Sequence, residues 1–270
     1  MTGFSPLLLV LGFAIGACGT LIGVGGGFLI VPLLLLLYPG ELAKTITSIT
    51  LAVVFFNAFS GTIAYSRLRR VDYRTGIIFA LATIPGAVAG ALSTAFLSRG
   101  LFDRIFATLL FLTAAFLFFH PLPGSRPRAV ESARTTRTVV DAQGTVHTYS
   151  FNQNLGLVLS FFVGFFSSIL GIGGGIIHVP ILCFLLNFPD HIATATSHFM
   201  LAIMALAGSL THLVAGDYVG TLWQVVSLTA GVIPGAQLGA RLSQRVGGAL
   251  ILRFLALALA LVGLRLLFQA

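Results

Sequence analysis

The sequence predicts an all-α polytopic membrane protein of two inverted repeats, each with a glycine-broken helical hairpin, and about 8–10 membrane segments in all. Three observations predict it. Hydrophobic residues make up 57% of the 270 residues and charged residues 8%. Charge-free runs cover residues 1–40, 45–66, 75–98, 105–125, 142–189, 191–216 and 218–240, and a spanning helix needs roughly 20 apolar residues. The run Leu21-Ile-Gly-Val-Gly-Gly-Gly-Phe-Leu-Ile-Val-Pro32 returns as Ile169-Leu-Gly-Ile-Gly-Gly-Gly-Ile-Ile-His-Val-Pro180.

Each glycine cluster sits inside an apolar stretch. Glycine lowers helix stability by roughly 1 kcal/mol relative to alanine, so four within five residues (23–27 and 171–175) end a helix. A break in lipid leaves peptide groups that protein or water must satisfy. Two such breaks at matching positions point to a carrier whose site is made from discontinuous helices.

The duplication extends past the glycines. Gly16 matches Gly164, and Pro32 matches Pro180. Thr45, Thr47 and Ser48 match Thr194, Thr196 and Ser197, while Ser60 and Thr62 match Ser209 and Thr211. Ile84-Pro-Gly-Ala87 matches Ile233-Pro-Gly-Ala236. Residues 1–120 therefore form a first membrane repeat and 151–270 a second. The segment 121–150 is rich in Pro, Arg, Ser and Thr. It reads either as a plain polar linker or as a β-hairpin, since 138–149 alternates around Asp141 to Gly144.

Charge gives the orientation. Arg67, Arg69, Arg70 and Arg74 place the loop 67–74 in the cytoplasm. If each break returns the chain as a hairpin, such as 5–22 and 27–38, each repeat has an odd number of membrane segments and the second half is inverted. The loops 67–74, 121–150 and 241–253 then share the cytoplasmic side and hold most of the basic residues. If each broken segment crosses once, Arg241, Arg245 and Arg253 fall outside. The hairpin reading satisfies the charge rule better. The net charge of +8 is therefore read as orientation, and no nucleic-acid partner is expected.

All seven acidic residues lie in loops or at segment ends. A carrier of metal cations usually needs an intramembrane carboxylate, so the interior suits an anion. A helix restarting after the glycines points free N–H groups and its positive end into the membrane. Gly25, Gly26, Gly27, Gly173, Gly174 and Gly175 are thus the first candidates for anion contact; their alternative role is close helix packing, which is preferred for Gly12, Gly16 and Gly164. Thr47, Ser48, Thr196 and Ser197 recur in both halves as neutral donors or caps. Asn57, Ser60, Ser209 and Gln237 are candidates for polar lining, although serine and threonine often bond their own helix. His178, His198 and His212 stand where the first half has Ile30, Ile49 and Ile63. Histidine titrates near neutrality, so this asymmetry marks them as candidates for proton coupling, His198 first because it follows Thr196-Ser197; the alternative is a neutral histidine bonded inside the bundle. Pro32, Pro85, Pro180 and Pro234 read as kinks or helix starts.

The motifs Gly23-Val-Gly-Gly-Gly27 through Pro32, Gly171-Ile-Gly-Gly-Gly175 through Pro180, Thr194-Ala-Thr-Ser-His198, and the Ile-Pro-Gly triplets at 84–86 and 233–235 resemble the TauE/SafE family of sulfite and organosulfur anion exporters. The resemblance covers nearly the whole chain except 121–150. It implies a multi-pass carrier of the bacterial inner membrane for sulfite, a sulfonate or a related small anion, without naming which. The expected partners are that anion, the lipid bilayer, a coupled proton and a second copy of the chain in a homodimer.

Other functions fit less well. An uncoupled anion channel or facilitator uses the same features and lacks only coupling. An intramembrane serine protease is disfavoured: Ser197 and His198 are sequence neighbours and cannot face each other on a helix. Gly23 to Gly27 lacks the Lys-Ser/Thr of a P-loop. Cys18 and Cys183 fall in apolar segments without ligand spacing, so no disulfide, metal site or cofactor is expected.

Overall fold

A computed structural model describes residues 5–119, 135–243 and a few positions beyond. Residues 120–134 of the insert, most of the 241–253 loop and the expected last segment of the second repeat lie outside the described residues.

The first half contains α1 (Pro6–Ile22), α2 (Gly27–Leu37), α3 (Ala43–Arg67), α4 (Tyr73–Ser93) and α5 (Arg99–Phe119). After a two-stranded hairpin, β1 (Thr135–Val140) and β2 (Val146–Phe151), come α6 (Gln153–Ile169), α7 (Gly175–Pro180), α8 (Asp190–Val214) and α9 (Leu222–Leu242). Among the described residues four helices are long and apolar enough to cross a membrane: Ala43–Arg67, Tyr73–Phe96, Asp190–Val214 and Leu222–Leu242. The apolar helices α1, α2, α6 and Gly175–Leu185 are shorter. At 1.5 Å per residue the 11 residues of α2 reach only about 17 Å, short of a hydrocarbon core of about 30 Å. The chain is a multi-pass membrane protein.

Elements keep company in pairs that exchange when the halves are exchanged. α1 packs along α9 and α6 along α4; α3 and α8 pack on each other, with α9 against α3 and α4 against α8. Glycines make these contacts possible. A Cβ on Gly16 would fall 2.7 Å from the Val232 Cα, and one on Gly239 3.0 Å from the Ala17 carbonyl carbon. At the equivalent places, Gly164 lies against the Thr83 backbone and Gly90 against that of Phe165. With no hydrophobic drive between helices in lipid, such close backbone approach is what holds them.

The helix directions follow from these contacts. Ser5 donates its N–H to the Ser227 hydroxyl, Gly12 faces Leu228 and Gly16 faces Val232, so α1 and α9 run parallel. Gly164 against Thr83 and Gly90 against Phe165 make α4 and α6 parallel too. α3 and α8 run antiparallel: Lys44 at the start of α3 pairs with Asp217 beyond the end of α8 at 3.2 Å. At the other end, the Asp72 N–H reaches the Thr196 hydroxyl at 3.0 Å. Tyr65, Val71, Ala195 and Ala240 pack together there, so the loop after α3 and the end of α9 lie on one side.

On that side sits the hairpin, paired from Thr135↔Phe151 to Val140↔Val146. Its turn is held by Asp141, whose Oδ1 accepts from Gln143 N–H at 3.0 Å and Thr145 N–H at 2.8 Å. Burial works against that carboxylate, but the Thr145 N–H, His147 and the Gln143 N–H outweigh it and hold its pKa below the ordinary value. The alternation of the strands buries Tyr149 and Phe151. Their rings pack tilted against Phe188, at 4.4 Å and 5.2 Å between ring centroids, just before α8. The Tyr149 hydroxyl donates to Asp72 Oδ2 at 2.7 Å, the Ala142 N–H to the Leu68 carbonyl at 3.0 Å, and Arg137 Nε to the Thr75 hydroxyl at 3.3 Å. Burial first, and the Asp72 charge second, push the Tyr149 phenol far up, so it stays a neutral donor. The hairpin is thereby tied to the α3–α4 loop and to the entry of α8.

Candidate functional site

Both helix breaks are built the same way. α1 ends as Gly23 turns left-handed (φ 87), with its N–H on the Thr20 carbonyl; the Val24 and Gly25 N–H groups both close onto the Gly19 carbonyl. Gly25 and Gly26 stay left-handed at φ 77 and 76, a conformation that costs roughly 1–2 kcal/mol for a residue with a Cβ. α2 restarts at Gly27 with no side-chain cap; the Gly26 carbonyl takes the Leu29 and Ile30 N–H groups, and those of Gly27 and Phe28 stand ahead of the helical ladder. In the second half Gly171, Gly173 and Gly174 have φ 68, 77 and 70, and α7 restarts at Gly175, again without a side-chain cap, its first N–H closing onto the Gly173 carbonyl at 2.8 Å. Behind Pro180 the helix widens into a π-turn, Ile181–Leu185, since proline supplies no N–H to the ladder.

The two breaks touch. A Cβ on Gly27 would fall 2.6 Å from the Ile172 carbonyl carbon, and closer still to its oxygen. A Cβ on Gly175 would fall 2.5 Å from the Val24 Cα. Gly25 and Gly173 both lie against Val54 of α3 and Leu201 of α8. Val54 and Leu201 thus flank both clusters, and the starts of α2 and α7 each lie against the main chain of the opposite break.

The recurring hydroxyls divide between the two ends of the α3–α8 pair. Thr47 packs on Gly171 and its hydroxyl donates to the Lys44 carbonyl at 3.0 Å. Ser48 donates to the Thr45 carbonyl at 2.9 Å, while its own carbonyl accepts from the Tyr218 hydroxyl at 3.0 Å. Thr196 accepts from the Asp72 N–H, and the Ser197 hydroxyl is buried without a partner. Thr194, which sequence reasoning did not single out as a ligand, packs on Gly23 as Thr47 does on Gly171.

One set of polar side chains does converge, directly before the first break. The Thr20 hydroxyl donates to Asn57 Oδ1 at 3.2 Å and lies 3.2 Å from His198 Nε2. The Tyr65 hydroxyl donates to the Thr20 carbonyl at 2.6 Å, and its ring meets His198 edge-on at 5.5 Å. Gly61 gives the imidazole room: a Cβ there would fall 2.5 Å from His198 Cδ2. All these groups are buried. With Thr20 donating to Asn57, its lone pair is left to accept the Nε2–H of His198, and the Gly23 backbone lies near the same ring. His198 Nδ1 and Asn57 Nδ2 are buried without hydrogen-bond partners. Buried polar atoms are nearly always satisfied, so an unused amide donor beside an uncapped helix start has the chemistry of an anion ligand. Protonation would turn His198 Nδ1 into a second donor.

The other candidates are placed differently. Gln237 Nε2 donates to the Ser60 carbonyl at 2.7 Å, and the Ser60 hydroxyl to the Ile233 carbonyl at 2.8 Å, clasping α9 to α3. Ser209 pairs with the Tyr218 hydroxyl at 2.7 Å, and His212 Nδ1 with Asp217 Oδ2 at 2.8 Å, both at the α8–α9 turn. His178 is buried with both ring nitrogens unpartnered, near Gly174. Sequence reasoning passed over Thr20 and Tyr65. The available signal for Thr20 was Ser168, a hydroxyl at the same spacing before Gly171.

Comparison with known proteins accords with this architecture. A family model described as "Sulfite exporter TauE/SafE" matches residues 8–266. The chain belongs to the TauE/SafE family. The TauE/SafE relatives include the probable membrane transporter protein YunE of Bacillus subtilis (strain 168), 32% identical, with 97% of each chain covered. A probable membrane transporter protein of Methanocaldococcus jannaschii is 22% identical over 89% of this chain and 87% of its own. YdhB of Bacillus subtilis, likewise named a probable membrane transporter protein, is 25% identical over 97% of this chain and 100% of its own. No solved structure matches the chain. This TauE/SafE protein is a membrane transporter and not an enzyme.

Proposed function

We propose that the chain is a secondary transporter, working as an exporter, for a small anion such as sulfite, a sulfonate or a related organosulfur anion, in the inner membrane of a bacterium. Its two halves are inverted repeats, and alternating access occurs around the two glycine breaks. The observation that carries this reading is that two helix starts without side-chain caps each lie against the main chain of the opposite break, beside a buried cluster whose free donor is an amide. Positive helix ends and neutral donors attract an anion without trapping it as a fixed cation would. The contact between the breaks supports a carrier over an open pore, because main chain of each break lies directly against the other. The family description, sulfite export, agrees with the chemistry. An exporter of this kind carries sulfite across proteoliposome membranes, and a pH gradient changes its rate; an uncoupled facilitator responds only to the anion gradient. A panel of sulfite, thiosulfate, sulfoacetate, taurine, sulfate and lactate, with and without a pH gradient, checks both. Flux of none of them removes this reading.

The inversion is supported by the directions of the helices: α3 and α8 are antiparallel, whereas α1 runs with α9 and α4 with α6. It predicts that single cysteines in 67–74 and 241–253, in a background without Cys18 and Cys183, are labelled from the same side of the membrane, the cytoplasm. Labelling from opposite sides sinks the inverted arrangement.

A further inference from the structure

We propose that Arg70, beside the uncapped start of α8, binds a small oxyanion at the hairpin-side mouth of the transporter, a capture site ahead of the Asn57 cluster. That the oxyanion is the transported sulfur anion rests on the function proposed above; the site itself rests on the following geometry.

Arg70 is only 7% exposed, and its Nε and Nη1 are buried with no hydrogen-bond partner. Among the described residues no carboxylate forms an ion pair with it. A buried guanidinium without a partner is costly, and such groups are retained where something charged meets them. The nearby carboxylates are committed elsewhere. Asp72 caps α4 at the Thr75 N–H and accepts the Tyr149 hydroxyl. Asp141 accepts the N–H groups of its own turn and faces His147. Asp190 lies against the Cys183 thiol.

The surroundings carry both signs: Asp190 stands in the first turn of α8, with Asp72 and Asp141 on the same side, and Arg70 is the group among them with unpartnered N–H donors. Arg70 acts electrostatically on the His191 ring in the first turn of α8, as does His147 from the hairpin, with Asp141 opposing them. The 25-residue α8 starts at Pro189, which provides no side-chain cap, so its first N–H groups and positive end add to the field. Arg69 directly before is held left-handed at φ 52, and the Arg70 N–H closes onto the Tyr65 carbonyl at 3.4 Å. Tyr65 is the link inward. Its carbonyl accepts the Arg70 N–H and its hydroxyl donates to the Thr20 carbonyl of the buried cluster. The free Nε–H and the free Nη1–H lie on different sides of the guanidinium, and each can donate a charge-assisted hydrogen bond to an oxyanion.

The test uses the full-length protein in nanodiscs, with sodium sulfite titrated at constant ionic strength and the melting temperature as readout. Sulfite should raise the melting temperature of the parent. Arg70→Met should melt no lower than the parent without sulfite, because an unpaired buried charge has been removed, and should show no rise with sulfite. Arg70→Lys keeps the charge but loses the two separately placed N–H donors, and should need at least about tenfold more sulfite for the same rise. If Arg70→Met does not fold, the lysine variant decides. No rise in the parent, or an equal rise at equal sulfite in parent and variants, overturns the site. Flux measured in parallel separates the two readings. Sulfite stabilisation through Arg70 without transport of any anion keeps the site and removes the transporter reading; transport with no effect of Arg70 variants removes the site alone.

Discussion

Replacing Gly27 or Gly175 by alanine should abolish transport while the chain still inserts in the membrane. Neither residue needs a left-handed backbone, so the effect isolates space from strain. At Gly27 the new Cβ would meet the Ile172 carbonyl, and at Gly175 the Val24 backbone. Both obstacles are main chain of the opposite break, which has no rotamer to change. Overpacking a tight interior costs roughly 1–3 kcal/mol, and here the cost falls where the two halves must meet and part. Gly26→Val and Gly174→Val add strain to the crowding, since φ is 76 and 70 at those positions. Gly40→Ala and Gly100→Ala, with nothing within 4 Å of the new carbon, should transport as the parent does. The check is flux in proteoliposomes beside the amount recovered in the membrane fraction. Parental flux in both Gly27→Ala and Gly175→Ala would remove the contact between breaks from the mechanism.

That contact shows where reading the sequence stops. The break itself is legible, because no helix tolerates four glycines in five residues, and α1 and α2 do stop at Ile22 and restart at Gly27. The pairing of motifs also names the glycines on which α1 meets α9 and α6 meets α4, although it does not say that they pair across the halves. Local patterns carry periodicity and capping; they do not carry which backbone lies opposite. For the same reason the recurrence of Thr47-Ser48 and Thr196-Ser197 does not say where the two pairs lie, and the antiparallel course of α3 and α8 takes them to opposite ends. The buried cluster breaks the internal symmetry: Asn57 stands where the second half has Leu206, and His198 where the first has Ile49. The histidine difference was visible in the sequence. Its partner Thr20 was not, because only the fold brings α1, α3 and α8 to one point.

The cluster leads to the other large effect. Asn57→Leu should raise the half-saturating anion concentration by roughly 10–100-fold, the value of one or two hydrogen bonds to a charged group. The change installs the residue type of the matching position in the other half, Leu206, and keeps nearly the same volume. It removes the unpartnered Nδ2 donor and also the Oδ1 that fixes the Thr20 hydroxyl. His198→Gln should behave otherwise. Glutamine keeps an N–H that can reach the Thr20 hydroxyl, so anion binding survives, but it cannot gain a proton at the free nitrogen. Flux through this variant should therefore lose its dependence on the pH gradient, since a proton moving with the anion lowers the charge cost of crossing. The measurement is initial flux against anion concentration at several imposed gradients for parent, Asn57→Leu and His198→Gln. An unchanged half-saturating concentration in Asn57→Leu would take the cluster out of the anion path. A His198→Gln response to pH equal to the parent's would make His198 a packing residue against Gly61 and Tyr65, and would move the question of coupling to His178, whose ring nitrogens both lack a partner, or to His212, whose Nε2 does.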